Sequence, residues 1–233
     1  MNIRIRRFTD NEEMMRKGNM KRIYLFDFDG TLVDSMPTFG AVMLQIPRDY
    51  GVSVGDDLVK IVTPLGYVGS ADYYRTVLGI HATAEELVAR MKAEMQDAYA
   101  ERIEAKAGVA ETLRTLKSSG ASLNVLTASP HVTLDCCLKR LGLWELFDHV
   151  WSCEDFHTTK SDPAIYRAAA KELGCPVSSV IFVDDNLGAV STAKEAGAIA
   201  YGIYDPSSED VREELRAVAH RYLEAFSDLL NEC

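Results

Sequence analysis

The chain has 233 residues, 47% of them hydrophobic, which suits one large domain or a domain with an insertion and excludes a disordered chain. Its 25 Lys and Arg against 35 Asp and Glu give a formal charge of −10, which disfavours nucleic-acid backbones and anionic lipid as partners. No apolar run reaches the roughly 18 residues of a membrane helix. With no apolar segment behind the N-terminus, and with five cysteines that show neither CxxC nor metal spacing, the expectation is a cytoplasmic protein with reduced thiols.

Residues 1–19 are charged and carry no period, and Arg16-Lys17-Gly18-Asn19 reads as a translated ribosome-binding site. The expectation is that this leader is not native and that translation starts at Met20. A strand follows, in which Ile23-Tyr24-Leu25-Phe26 is continuously apolar, as in a strand buried on both faces. From about 37 to 105 the chain shows helical periods without a strong strand; Leu87, Met91, Met95 and Ala98 share one helix face. The expectation is an inserted helical cap over 37–105, splitting a core domain of 20–36 and 106–233.

Strands and helices alternate after the insertion, which predicts an α/β fold with a parallel sheet covered by helices on both faces. Val109, Leu113 and Leu116 mark a helix stopped by Gly120, and Leu123-Asn124-Val125-Leu126 is the next strand. A helix spans about His131 to Leu141, Val150-Trp151 is a short strand, and Pro163 opens another helix. Val180-Ile181-Phe182-Val183 is a buried strand, followed by a helix ending at Gly197, a strand through Ile199 and a long C-terminal helix.

The candidate chemistry sits where strands stop. Asp27-Phe28-Asp29-Gly30-Thr31 directly follows the first strand, and Asp184-Asp185-Asn186 directly follows Val180–Val183. Neighbouring parallel strands end on one edge, so the two acidic pairs would share a site. Carboxylates packed into a dry pocket repel unless a cation joins them, and Mg²⁺ commonly binds through one or two carboxylates plus substrate phosphate. Thr127-Ala128-Ser129, before the helix at His131, offers hydroxyl and N–H groups to a phosphate, and Lys160 offers a positive charge.

These four stations resemble the four motifs of the haloacid dehalogenase-like hydrolases: Asp27-Phe28-Asp29-Gly30-Thr31-Leu32-Val33-Asp34-Ser35, then Thr127-Ala128-Ser129, then Lys160 with Pro163, then Asp184-Asp185. Order and spacing match from about Met20 to Gly202. The resemblance implies a Rossmann-like core with a helical cap and a magnesium-dependent phosphatase acting on a small phosphorylated metabolite. It implies that Asp27 is nucleophile and metal ligand, and that Asp29 is general acid and base with its backbone carbonyl on Mg²⁺. Thr127, Ala128 and Lys160 bind the phosphoryl group. Asp185 is the principal ligand of the fourth motif, and Asp184 is a further ligand standing where many members have Gly. Many members carry another Asp where this chain has Ala189, and Asp184 offers a carboxylate in its stead.

Two other readings remain. A sugar phosphomutase of the same superfamily carries a His soon after the first motif, where this chain has Phe39. A non-catalytic phosphate-binding module would have lost a motif residue, and none is lost. Lys60 and Lys92 would serve a phosphonate hydrolase only if one lay at the site, and a surface place is expected for both. His131 is expected at a helix start on the surface, and Tyr67, Tyr73 and Tyr74 in the core of the cap. Asp34-Ser35 with Pro37 is similar to the phosphoglycolate phosphatase branch.

Overall fold

The computed structural model describes residues 21–232, so the expected leader and the start at Met20 lie outside the described residues. Six strands, β1 (Ile23–Phe26), β2 (Ser122–Thr127), β3 (His149–Ser152), β4 (Val180–Asp184), β5 (Ile199–Ile203) and β6 (Arg221–Leu223), form one parallel sheet in the order β3-β2-β1-β4-β5-β6. The winding reverses between β1 and β4, where open α/β sheets leave a crevice at the carboxyl ends of their strands.

Alternate residues of each strand supply the two faces of the sheet. Tyr24, Phe26, Val125, Ile181 and Val183 join one buried layer with α5 (Val109–Ser118) and α6 (His131–Arg140). Leu25, Leu126, Val180 and Phe182 join the other with α7 (Pro163–Glu172), α8 (Leu187–Ala196) and α9 (Arg212–Val218). That both faces are covered explains why the strands read as unbroken apolar runs rather than as alternating ones.

The segment between β1 and α5 folds as α1 (Met36–Asp49), α2 (Asp57–Val62), α3 (Gly66–Thr76) and α4 (Ala84–Glu101). Helix α4 starts at a capping box, in which Thr83 accepts from the Glu86 N–H and Glu86 accepts from the Thr83 N–H. Its apolar face is the one read from the sequence: Leu87, Met91, Met95 and Ala98 are buried. The two chains linking this segment to the sheet run side by side. Val33 bridges Ala105 antiparallel, the Asp34 N–H donates to Glu104 O (2.9 Å), and the Lys106 N–H to Leu32 O (3.0 Å).

The long C-terminal helix is not formed. After β5 come a 3-10 segment (Pro206–Val211), the seven-residue α9, strand β6 and a second 3-10 segment (Phe226–Glu232). The edge of β5 would leave unpaired backbone groups, and β6 takes them up in register, Tyr201 opposite Arg221 and Ile203 opposite Leu223. Three residues are too few to show a period. Among the described residues, no helix is long and apolar enough to cross a membrane.

Candidate active site

Strand pairing builds the site. Phe26 lies opposite Val183, and the Asp27 N–H donates to Val183 O (2.9 Å), so the first residue beyond β1 sits beside the last residue of β4. The carboxylates of Asp27, Asp184 and Asp185 converge there, each offering an oxygen within 4.8 Å of the others, and all three are buried. Lys160, just ahead of α7, places its ammonium 2.5 Å from Asp27 Oδ1 and 2.7 Å from Asp184 Oδ2. The Tyr166 hydroxyl, one turn into α7, donates to Lys160 O (2.9 Å) and fixes the loop that carries the lysine. Asp162 caps the same helix through the Ala164 N–H, with Pro163 at its first turn.

Four carboxylates around one lysine leave an excess of negative charge. Burial pushes the Asp27 carboxyl well above the usual carboxylate range against the pull of Lys160, and Asp184, Asp185 and Asp29 add to the rise. Burial, then Asp184 and Asp205, push Asp185 up to about 7. For Lys160 burial acts against the charged form, but Asp184 and Asp27 outweigh it and hold the ammonium protonated. Three buried carboxylates whose hard oxygen donors converge within 4.8 Å of one another are the donor set that a small divalent cation takes. The residues present therefore fit Mg²⁺, which Asp27, Asp184 and Asp185 could hold through their carboxylates.

This charge balance sets a pH dependence. The folded protein holds the Asp185 proton up to about pH 7 whereas the unfolded chain releases it near 3.8. The metal-free protein accordingly loses stability as pH rises through that window. Cation binding requires the proton to leave, so the rise in Tm at a fixed Mg²⁺ concentration is expected to grow from about pH 5 to about pH 8. Differential scanning fluorimetry checks it; a shift independent of pH would remove Asp185 from the cation site.

Asp29 stands slightly apart. Its Oδ1 accepts from the Tyr99 hydroxyl and its Oδ2 from the Ser129 hydroxyl, each at 2.5 Å. Ser129 belongs to the turn after β2, where its N–H donates to the buried Thr127 Oγ1 (3.0 Å); Ala128 between them is exposed. Asp185 is held by Thr31 Oγ1 (3.1 Å) and Ser208 Oγ (3.3 Å), and Asp184 Oδ1 accepts from the Asn186 N–H (2.7 Å). The site residues read from the sequence thus meet around one crevice: Asp27, Asp184, Asp185 and Lys160 in direct contact, Asp29 and Thr127 linked through Ser129.

Several neighbours were not legible in the sequence. Lys106, the first residue after the inserted segment, donates to Gly30 O (2.5 Å), Tyr204 O (2.9 Å) and Asp205 Oδ2 (2.8 Å), using all three ammonium hydrogens. It ties the loop of Asp27–Thr31, 76 positions before it, to the loop after β5, 98 positions beyond it. Tyr99 carried no signal beyond its place next to Ala98 on α4. Of the three tyrosines expected in the core of the inserted segment, Tyr74 is fully buried and donates to Met43 O (2.6 Å). Tyr67 and Tyr73 are partly buried against the same core, and Tyr67 also lies near Asp29; burial and that carboxylate push its hydroxyl up to about 12. Tyr67 packs on Phe39, with ring centroids 6.3 Å apart.

The residues expected at the surface are there. His131 opens α6 between Asp135 (2.8 Å) and Asp155 (2.9 Å), its Asp135 bond raising its pKa against partial burial. Lys60 pairs with Asp210 in the open (2.6 Å), and Lys92 is exposed on α4.

The sequence and the fold are similar to those of known proteins. The model of the haloacid dehalogenase-like hydrolase family matches residues 21–197. The chain is 31% identical over 182 residues to pyrophosphatase PpaX of Bacillus velezensis, covering 77% of this chain and 81% of that one. It is 28% identical over 201 residues to a phosphoglycolate phosphatase of Pseudomonas savastanoi, covering 82% and 73%. A crystal structure described as a putative beta-phosphoglucomutase from Thermotoga maritima superposes with a TM-score of 0.77 at 25% identity, over 91% of this chain and 99% of that one. A family model over most of the chain and a relative at 31% identity show the same thing: this chain belongs to the haloacid dehalogenase-like hydrolases.

Proposed function

We propose that the chain is a phosphatase that hydrolyses small phosphate monoesters through an aspartyl-phosphate on Asp27. The observation that carries the reading is the Asp27–Lys160–Asp184 contact at the β1/β4 crevice, with Asp29 two residues beyond the nucleophile and held at both oxygens. Proteins similar to it are named as phosphatases and a pyrophosphatase.

In the first step a carboxylate oxygen of Asp27 attacks phosphorus, the ester P–O bond breaks, and the leaving oxygen takes the proton of Asp29. In the second, Asp29 takes a proton from water, the water oxygen attacks phosphorus, and the P–O bond to Asp27 breaks to release inorganic phosphate. Dividing the hydrolysis in this way replaces one hard displacement by two easier ones. Lys160 offsets charge on the phosphoryl oxygens, and Thr127 with the backbone at Ala128 and Ser129 binds them ahead of α6. Mg²⁺, held by Asp27, Asp184, Asp185 and the Asp29 carbonyl, would supply further charge neutralisation at the transferring group. The helices of 37–105 act as a cap that excludes bulk water and selects the leaving group.

Phe39 stands where the family resemblance implies a His in a sugar phosphomutase, which favours hydrolysis. The test is release of inorganic phosphate from a panel of pyrophosphate, phosphoglycolate, sugar phosphates and nucleoside monophosphates, with Mg²⁺ or with EDTA. Release with Mg²⁺ that stops with EDTA is expected. No release from any ester, or conversion of a sugar phosphate to its isomer without phosphate release, would overturn the reading.

A further inference from the structure

Asp29 is held by two donors of different origin. Ser129 comes from the turn after β2, within the motif already assigned to phosphate binding. Tyr99 comes from the last turn of α4, 70 positions away in sequence. Its ring is stacked on Phe28 (centroids 5.9 Å, planes 26° apart), the residue between Asp27 and Asp29. Its hydroxyl ends 2.5 Å from Asp29 Oδ1, and its side chain is almost wholly buried.

We propose that Tyr99 is a positioning residue for the general acid–base Asp29, its hydroxyl fixing the carboxyl plane so that the open position of Asp29 that carries the proton faces the ester oxygen. The inference rests on the role given to Asp29 above and adds to it the device that aims the group.

A carboxylate has about four acceptor positions on its two oxygens, and the two bonds from Tyr99 and Ser129 use two of them. One position on each oxygen stays open for the proton in flight. With both oxygens bonded, rotation about the Cβ–Cγ bond would break two charge-assisted hydrogen bonds at once. With Tyr99 removed, the carboxyl would pivot on the Ser129 bond alone. The distance between acid and leaving oxygen would then vary, and transfer between positioned groups is steeply sensitive to such variation.

Tyr99 is suited to this by its own supports. Arg140 on α6 donates to Tyr99 O (3.3 Å) and to Ile103 O, which pins the end of α4 to the core. The Phe28 stack fixes the ring from the other side. A group that aims a catalytic side chain is most effective when its own rotamer is locked. A buried tyrosine hydroxyl needs some partner in any case, so the test must separate positioning from mere satisfaction of that need.

The leaving group provides the separation. Departure of an alkoxide needs the proton of Asp29, whereas departure of p-nitrophenolate scarcely does. kcat/KM covers the steps up to departure of the leaving group and so isolates the acid role. Tyr99→Phe keeps the ring and the Phe28 stack and removes only the hydroxyl.

The experiment measures kcat/KM with Mg²⁺ for wild type, Tyr99→Phe and Asp29→Asn, on p-nitrophenyl phosphate and on the best alkyl ester of the panel. Melting temperatures confirm that each variant is folded. For Tyr99→Phe the expected result is a loss of about 10- to 100-fold on the alkyl ester, the size of one hydrogen bond to a charged group, with less than about threefold on the aryl ester. Equal losses on both esters, or no loss on either, would overturn the proposal. Asp29→Asn retaining the wild-type rate on the alkyl ester would overturn the acid role of Asp29, and the role of Tyr99 with it. An alkyl-specific loss in Asp29→Asn without one in Tyr99→Phe would overturn only the role of Tyr99.

Discussion

Asp27→Asn is expected to lower kcat for phosphate release by roughly 10⁴ or more, the scale on which loss of a covalent nucleophile registers. Asparagine keeps the shape of the side chain and an oxygen for Lys160, and Lys160 keeps Asp184 as its second partner. Burial and three neighbouring carboxylates already oppose the charge on Asp27. Removing that charge relieves repulsion in a crowded pocket, so the melting temperature of the metal-free variant is expected to hold or rise while activity disappears. Such opposition between stability and activity is a mark of a functional site. Steady-state phosphate release and calorimetry read the two effects. Turnover within tenfold of wild type would remove Asp27 as nucleophile, and a fall in Tm would show that its charge contributes to the fold.

Gly30→Ala is expected to disable the site without touching any carboxylate. Gly30 has φ +77°, a left-handed conformation that a side chain disfavours, at a cost of roughly 1–2 kcal/mol. A Cβ there would lie 2.6–2.7 Å from the carboxyl atoms of Asp185, inside any normal contact. Asp185 would have to swing away, giving up the Thr31 hydroxyl and its place beside Asp27 and Asp184. Gly30 is also held from behind, its carbonyl accepting from Lys106 and its N–H donating to Val33 O (3.0 Å), so the loop has little freedom to retreat. Misplacement of a catalytic group by about 1 Å can cost about 10²-fold in rate. We expect Gly30→Ala to lower kcat/KM by that order and to weaken Mg²⁺ binding in calorimetric titration by about tenfold or more. Wild-type Mg²⁺ affinity in the variant would show that the loop yields instead.

Much of this was legible in the chain itself. Strands buried on both faces must be apolar at every position, so Ile23–Phe26 and Val180–Val183 stood out from the sequence with their ends well placed. Charged residues are rare inside such runs, and the first acidic residues at their ends, Asp27 and Asp184, therefore mark the carboxyl edge of the sheet. The resemblance of the four motifs to one family then followed from their order. The C-terminal region was misread because α9 and β6 are short and their pairing depends on the exposed edge of β5, a partner that no local pattern announces.

The sequence alone determined the parallel α/β core and the acidic residues at its strand ends, because hydrophobic period and residue type are local quantities. Only the tertiary structure decided what surrounds those groups. The contact of Tyr99 with Asp29 spans 70 positions, that of Lys106 with Tyr204 spans 98, and that of Thr31 with Asp185 spans 154. Each joins residues whose pairing no local pattern announces. A tyrosine on a helix face or a lysine after a linker acquires a role only when sheet order and helix packing bring a buried carboxylate within hydrogen-bonding reach.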